Sequence, residues 1–280
     1  RAGFTLIELL ISAVIGVLVA GIIFELMRGQ GRFVSAQSAR QDAQQNARGA
    51  LEVLTSELRA APVQGLEEAT DSSVVMRVAR AWGVYCGGGA AAMSAVFPNL
   101  ADETFTMGTA SGVMVNTAGT AWEADGVQAA ALFNVAAAGN ACDDIRATSL
   151  GNATADGVAL TAAGGSTFPT PAPGQPLFLY DRVKYDVGGG PDAGEVWIRR
   201  SNGLSGGAFS MQPLAGPVPA GGLELTYYND AGAEIAAPGT TAAALLLVRR
   251  IGVRITSERE RDGVTQTETD SLTIHLRNRP

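Results

Sequence analysis

A single carboxylate, Glu8, lies near the start of a segment that is otherwise apolar enough to cross a bilayer. It follows Gly3, Phe4 and Thr5, and the apolar run continues to about Met27, with one further charge at Glu25 near its other end. Burying a lone charge in hydrocarbon is costly, so a carboxylate in such a segment indicates a functional role and a positively charged partner. The chemistry that this position predicts is therefore charge pairing within a membrane or a helix bundle.

Patterns that carry catalytic chemistry in other proteins lack their required context in this chain. The only histidine, His275, alternates with apolar residues on a predicted strand and is expected at the surface. Residues 203–207 match the Gly-x-Ser-x-Gly string of a nucleophile elbow, but no strand ends at the serine and no helical pattern follows it. The only lysine, Lys184, has no glycine beside it, which excludes a phosphate loop. We predict no catalytic residue, no enzyme activity and no cofactor.

An acidic segment surrounds the dipeptide Asp262-Gly263. Its other carboxylates are those of Glu258, Glu260, Glu268 and Asp270. Oxygen-rich loops can hold calcium, but the ligand spacing of an EF-hand is absent. A solvated acidic loop is the favoured interpretation and calcium binding the alternative, so no metal ligand is assigned.

The charge of the chain disfavours nucleic acid as a partner. The chain has 20 Lys and Arg against 27 Asp and Glu. The first 61 residues contain six of the basic and five of the acidic residues, so residues 62–280 have 14 basic and 22 acidic residues and a net charge of −8. Nucleic-acid binding is driven by basic surfaces. A local patch of Arg249, Arg250 and Arg254 is better explained as the solvated face of a strand.

One long helix is expected to carry the apolar segment. Residues 4–27 would form about 36 Å of helix, enough for a hydrocarbon core of roughly 30 Å, so we assign residues 4–28 to a transmembrane helix. Residues 29–61 continue it as an amphipathic helix that Pro62 ends. The apolar face of this second half predicts docking on a sheet; its residues are Ala47, Ala50, Leu51, Leu54, Leu58 and Ala61. Gly29 and Gly31 are either a hinge or a tolerated bend.

The rest of the chain predicts an antiparallel sheet preceded by a less regular region. Residues 62–176 suggest short strands and long loops, and residues 177–280 contain alternating segments bounded by turn residues. Such a sheet would cover the apolar stripe of the helix, which predicts an α+β fold. Cys86 and Cys142 are the only two cysteines; in an exported region they are expected to form a disulfide, with free buried thiols as the alternative.

The order glycine, phenylalanine, threonine, leucine, isoleucine, glutamate at residues 3–8 resembles the type IV prepilin signature. The resemblance implies that a prepilin peptidase cuts between Gly3 and Phe4 and methylates the new amine, which makes residues 1–3 a leader remnant. It also implies that Thr5 and Glu8 act in assembly, with Glu8 pairing with the Phe4 amine of a neighbouring subunit. Ordinary membrane anchors and secretory signal peptides are the competing interpretations of the segment.

Residues 177–280 resemble the C-terminal half of W-type minor pilins and J-type pseudopilins. The similarity covers strings such as LYDRVKYDV and VRRIGVRITSE. It implies the type IV pilin fold and a structural, filament-priming subunit at or near the tip of a type IV pilus, with other pilin subunits as partners. Such a subunit stands in the bacterial inner membrane before assembly and then in the periplasm or the extracellular pilus. The alternatives are a J-type pseudopilin of a type II secretion system, and a membrane-anchored periplasmic binding module or adhesin that never polymerises.

Overall fold

The long helix, α1, runs from Leu6 to Ala60 and has 55 residues. The computed structural model of the chain describes residues 5–62, 64–97, 111–116, 122–125, 127–133, 141–149, 156–162, 167–168, 170–203 and 209–276. At 1.5 Å per residue the helix is about 82 Å long. It ends where Ala61 becomes extended ahead of Pro62, as a residue before proline favours. Gly29 and Gly31 lie within it without a break.

The two halves of α1 have different surroundings. From Leu6 to Val34 every residue is exposed, and contact with the rest of the protein begins at Ser35, which is partly buried. The docked half buries one face through the residues Ala39, Ala43, Ala47, Ala50, Leu51, Leu54, Thr55 and Leu58. The stripe predicted from the sequence is thereby confirmed, and it extends two turns further toward the membrane half through Ala39 and Ala43.

Within the described ranges, fourteen strands and two further helices follow α1. The strands are β1 (Leu66–Ala69), β2 (Val74–Gly88), β3 (Ala92–Phe97), β4 (Gly112–Asn116), β5 (Trp122–Asp125), β6 (Val127–Phe133), β7 (Asp156–Ala162), β8 (Pro176–Gly189), β9 (Val196–Gly203), β10 (Phe209–Ala215), β11 (Leu223–Tyr228), β12 (Glu234–Ile235), β13 (Arg250–Arg261) and β14 (Val264–His275). The helices are α2 (Ala141–Ser149) and α3 (Ala242–Leu247).

The larger sheet has ten strands. They come both from residues 62–176 and from residues 177–280, which the sequence suggested were separate regions. Its order is β10-β9-β8-β2-β3-β7-β6, with β1 beside β2 and with β4 joining β8 to β5. The central pairing is between β2 and β8, where Val74 lies opposite Tyr185 and Val84 opposite Pro176. Residues 62–176 are thus more regular than their sequence suggests: β2 alone has 15 residues. Consecutive residues of β2, such as Val74, Val75 and Met76, are buried, and a strand that is covered on both faces loses the clear apolar–polar alternation by which strands are recognised in a sequence.

The smaller sheet is antiparallel, with the order β12-β11-β13-β14. Strands β13 and β14 form a hairpin with unbroken register from Arg250 opposite His275 to Arg261 opposite Val264. The turn residues Asp262 and Gly263 have φ angles of 52° and 72°. These positive values are what the Asp-Gly dipeptide favours in a two-residue hairpin loop.

The main hydrophobic core lies between α1 and both sheets, which confirms the expected α+β fold. It contains Leu51, Leu54 and Leu58 of the helix together with Val183 of β8 and Val253 of β13. Burial of this continuous apolar surface is the principal force that holds the helix against the sheets.

A second core joins β3, β4, β7 and β8 around buried Phe97 and Phe168. Beside it, Cys86 of β2 and Cys142 of α2 form the disulfide that the sequence predicts, with Cα atoms 4.9 Å apart. Both cysteines are buried with Val96 and against Ile145. The bond therefore ties α2 to β2, an inner strand of the larger sheet.

Candidate assembly site on the N-terminal helix

Thr5 and Glu8 form a reciprocal cap at the start of α1. The backbone N–H of Glu8 donates to Thr5 Oγ1 at 3.4 Å. In return Thr5 donates to Glu8 Oε2 from its backbone N–H at 3.1 Å and from its hydroxyl at 3.0 Å. The arrangement is a capping box, in which two helix-end donors that lack intrahelical partners are satisfied by side chains.

The capping box changes how the assembly residues are understood. Sequence reasoning treated the Glu8 charge as unsatisfied until a neighbouring amine arrives, whereas the structure gives its carboxylate two hydrogen bonds from Thr5. Among the described residues, none of the ion pairs includes Glu8. The Thr-x-x-Glu spacing of residues 5–8 is a capping-box signal that the sequence analysis did not use. Gly3 and Phe4, the expected processing residues, lie outside the described residues.

From Leu6 to Phe24 the exposed half of α1 carries apolar side chains on all sides, apart from Glu8 and Ser12. Large side chains along it are between 48% and 85% exposed from Leu6 to Met27. Within the described residues α1 is the one helix long and apolar enough to cross a membrane, and none of its most apolar stretch is covered by the rest of the protein. An uncovered helix with this composition fits membrane anchoring before assembly.

Four polar contacts attach the middle of α1 to the β13–β14 hairpin. Ser35 donates to Asp262 Oδ2 at 2.5 Å, beside the turn, and Arg40 forms an ion pair with Glu268. Further along the helix, Arg48 Nε lies 3.7 Å from Asp270 Oδ2. The fourth contact is a hydrogen bond of 2.6 Å from Arg261 Nη1 to Ser38 Oγ.

These contacts account for three carboxylates of the acidic segment. Asp262, Glu268 and Asp270 each face a partner on α1 instead of converging on one point. Over the part of the chain that the structure describes, no group of three or more His, Cys, Asp or Glu side chains is arranged to hold a metal ion. The acidic segment thus serves as a docking strip for the helix.

A half-buried ion pair fixes the far end of α1. Glu57 accepts hydrogen bonds from Arg200 of β9, with Nη2–Oε1 at 2.7 Å and Nε–Oε1 at 3.0 Å. The hydroxyl of Tyr185 on β8 donates to Glu57 Oε2 at 2.5 Å. Burial raises the pKa of Tyr185, and the negative charge of Glu57 raises it further. In the sequence, Glu57 lies between the stripe residues Leu54 and Leu58, and no pattern indicates its partner.

The remaining sequence candidates have ordinary surroundings. His275 is exposed, and residues 204–207 of the Gly-x-Ser-x-Gly string lie outside the described residues. Each arginine of the basic patch has its own local contact: Arg254 pairs with Glu224 at 2.9 Å, Arg250 stacks on the Tyr228 ring and Arg249 donates to the carbonyl of Leu246 at 3.2 Å.

Comparison with known proteins identifies the N-terminal segment. The family model described as the prokaryotic N-terminal methylation motif matches residues 1–24. No curated protein and no solved structure gave a significant match to the chain. The motif belongs to structural proteins that a prepilin peptidase processes and that assemble with other pilins. Together with the free apolar helix packed on antiparallel sheets, it supports a type IV pilin-like protein of the pilin or pseudopilin type.

Proposed function

We propose that this protein is a minor pilin, a structural subunit that enters a type IV pilus through its N-terminal helix and stands at or near the tip. The observation that carries the proposal is the division of α1 into a free apolar half headed by the methylation motif and a docked half. A free apolar helix of this length requires lipid around it, or other helices of the same kind. A filament supplies the second environment once the subunit leaves the membrane.

Glu8 fits this transfer between environments. In the single chain, its hydrogen bonds from Thr5 reduce the cost of burial but leave its charge uncompensated. In a closed helix bundle an unpaired charge costs several kcal/mol, about 3–5 when one partner of a buried pair is missing. The methylated amine of Phe4 on a neighbouring subunit would compensate it, and the pairing would then fix the axial position of each new subunit.

The docking contacts of α1 suit a load-bearing subunit. The core leucines, the hairpin contacts and the Glu57–Arg200 pair hold the helix from Ser35 to Leu58. The second half of the helix cannot leave the sheets without exposing this core. Force on the first half is therefore transmitted to the head, which is the part of the protein formed by the docked half of α1 and the two sheets.

The size of the head favours a position at the end of a filament. Residues 62–176 add a second core and the disulfide beside the sheet that packs on α1. Subunits in the shaft are enclosed by neighbours on all sides, whereas a bulky head at the end meets fewer of them. The resemblance of residues 177–280 to W-type minor pilins supports the same placement.

Two measurements test this proposal. Mass spectrometry of the protein from membranes should find methylated Phe4 as the first residue, and Gly3→Glu should leave an uncut, membrane-embedded protein. A different first residue would refute the processing step.

Deletion of the gene is the second measurement, and it should reduce pilus number and twitching. Loss of exoprotein secretion with normal pili would instead assign the protein to a type II secretion system as a pseudopilin. Normal pili together with normal secretion would leave a non-polymerising anchored module.

A further inference from the structure

Strand β14 forms one edge of the smaller sheet, and over the part of the chain that the structure describes no strand pairs with its outer side. It pairs with β13 along all of its 12 residues, without a register shift. Strands of globular proteins average about 5–6 residues, so this edge is unusually long. An open edge offers a row of backbone donors and acceptors that only another extended polypeptide segment can match in spacing.

The phase of the β13–β14 ladder determines which residues point to this edge. The N–H of Leu276 donates to the carbonyl of Arg249 at 3.0 Å, one residue beyond the pair of Arg250 with His275. Hydrogen-bonded and non-hydrogen-bonded pairs alternate in an antiparallel ladder. The even-numbered residues of β14 therefore bond to β13, and the odd-numbered residues direct their N–H and C=O groups outward.

The outward backbone groups are largely unbonded. Thr265 C=O accepts a hydrogen bond of 3.1 Å from the side chain of Gln266, and Ser271 N–H donates to its neighbour's carboxylate at 2.9 Å. The backbone groups of Thr267, Thr269 and Thr273, which point the same way, have no partner among the described residues. These three threonines are exposed, so an incoming strand would have access to them.

The other strands that end a described sheet carry features that discourage further pairing, and β14 does not. Strand β12 has only two residues, β10 contains Pro213 and a register shift, and β6 also has a register shift. Strand β14 has no proline, lysine or arginine. Its two inward-facing carboxylates, which would otherwise oppose burial under a further strand, are paired with arginines of α1. Natural proteins protect or cover long edges, and this chain leaves β14 to be covered by something else.

Leu272 shows what the covering strand must supply. It lies opposite Val253, which is 1% exposed, and on the same face of β14 as the buried Ile274. Leu272 itself is 40% exposed, although its side chain is on the face that packs toward the core. An apolar side chain on a strand added beyond β14 would cover it, since neighbouring side chains on one face of a sheet pack together.

We propose that the free edge of β14 accepts an extended strand of another protein, which continues the smaller sheet in antiparallel orientation and places an apolar side chain against Leu272. Hydrogen bonds to the odd-numbered residues would provide affinity, and the contact with Leu272 would select the register. The docking site is on the head and does not require assembly of the apolar half of α1. It is therefore independent of the proposed function.

A second copy of the chain is a poorer occupant of this edge. The odd-numbered residues must pair with one another in such a dimer, because only they have outward backbone groups. Antiparallel pairing centred on the two β14 strands would then place Leu272 opposite Gln266 or Glu268. Neither side chain is apolar, so a second copy does not supply the contact that Leu272 requires.

Binding of a short peptide to the full-length chain in nanodiscs tests this site. The probe is a labelled heptapeptide, acetyl-Thr-Val-Thr-Ser-Thr-Ser-Thr-amide, whose valine would face Leu272 when its first threonine lies opposite Thr273. We expect saturable binding by fluorescence anisotropy, together with slower amide hydrogen exchange within residues 264–275. Absence of binding at millimolar peptide, or slower exchange only outside these residues, would overturn the proposal.

Two N-methylated forms of the peptide provide a matched control. In the proposed pairing the third and fifth amides donate to β14, whereas the second and sixth point away from it. Methylation of the third and fifth amides should weaken binding by at least about tenfold, because two hydrogen bonds are lost. Methylation of the second and sixth should have little effect. Equal affinities of the two methylated peptides would contradict strand addition.

Variants of the chain test the same pairing from the other side. Thr269→Pro removes an N–H that points outward and should abolish binding, while the ladder to β13 is retained. Thr269→Val is its control and should bind normally; both variants lose the hydrogen bond between the hydroxyls of Thr269 and Thr256, so they differ in the backbone donor. Normal binding by Thr269→Pro would overturn the proposal.

Leu272→Ser tests the apolar contact and does not depend on the folding of Thr269→Pro. It should lower the affinity of the valine peptide to that of a peptide with serine in place of valine, and an unchanged preference for valine would contradict the contact. Self-association of the chain that is lost in Thr269→Pro but kept in Thr269→Val would identify a second copy as the occupant and would also overturn the proposal.

Discussion

Glu57 of α1 and Arg200 of β9 face each other as a charge-assisted, multiply hydrogen-bonded pair, with the closest contact at 2.7 Å. The two residues are 143 positions apart in the chain, and Tyr185 completes the site from the neighbouring strand. Because the pair lies beside buried Leu54 and Leu58, the polar contact and the core hold the same end of the helix. Loss of either is expected to loosen the docked half of α1.

Glu57→Gln should lower the free energy of unfolding by about 2–3 kcal/mol, since it leaves the half-buried guanidinium of Arg200 without its counter-charge. The matched control is Glu224→Gln, which breaks the exposed pair with Arg254 and should cost no more than about 1 kcal/mol. Urea unfolding of the full-length chain in detergent measures both. Equal losses in the two variants would show that the Glu57 pair does not stabilise the docked helix.

Alkaline pH should destabilise the protein through Tyr185 and Tyr227. Burial raises the pKa of both hydroxyls, assisted by Glu57 for Tyr185 and by Asp71 and Glu68 for Tyr227. The folded protein retains these protons where an unfolded tyrosine, with a pKa of about 10, loses them. Their contribution is therefore complete below about pH 10 and decreases as the pH rises above that value.

Tyr185→Phe provides the test of this alkaline effect. The variant should be less stable at pH 8, because the hydrogen bond to Glu57 is lost, but its stability should fall less steeply above about pH 10. Urea unfolding at several pH values between these limits and above gives both quantities. A slope identical to that of the unsubstituted protein would exclude Tyr185 as a source of the alkaline effect.

Leu54→Ala should destabilise the protein by about 2–5 kcal/mol, because it removes a fully buried side chain from the core between the helix and the sheets. Leu272→Ala is the control, since that leucine is 40% exposed on the strand β14 that packs along the same helix. Thermal melting of the two variants compares them directly. An unchanged melting temperature for Leu54→Ala would contradict the docking of α1.

The Cys86–Cys142 disulfide closes a loop with a sequence separation of 56. The chain-entropy model assigns such a loop a stabilisation of roughly 4 kcal/mol, so Cys86→Ser combined with Cys142→Ser should lower stability by an amount of that order. Peptide mapping without reductant checks the bond itself. Alkylation of both cysteines in the unreduced protein would show that they are free thiols.

Glu8→Ala should leave membrane levels of the protein normal and reduce its incorporation into filaments. Glu8 lies about one turn from the helix start, where water and headgroups can reach it, so insertion does not depend on its pairing. Glu8→Lys should be worse, since it brings two positive groups together in the bundle. The ratio of protein in sheared filaments to protein in membranes is the measurement, and unsubstituted values for both variants would refute the pairing role.

Thr5→Ala separates the capping box from the pairing of Glu8. Loss of an N-cap typically costs about 1 kcal/mol of helix stability, while the Glu8 charge remains. Incorporation should therefore decrease less than in Glu8→Ala. A decrease as large as that of Glu8→Ala would mean that Thr5 contributes to assembly beyond its role as a cap.

The sequence alone determined the long helix, its apolar half and its docked face, because these depend on local composition and on a period of 3.6 residues. It also indicated the alternating strand segments of residues 177–280 and the two cysteines available for a disulfide. The pairing of β2 with β8, the partner of Glu57 and the ion pair of Arg40 with Glu268 were decided only by tertiary structure. Each joins residues that are about a hundred or more positions apart, and a contact at that separation leaves no periodic signal in the chain. Such contacts form only once α1 and the two sheets share one core, since burial of that core brings the distant side chains within hydrogen-bond reach.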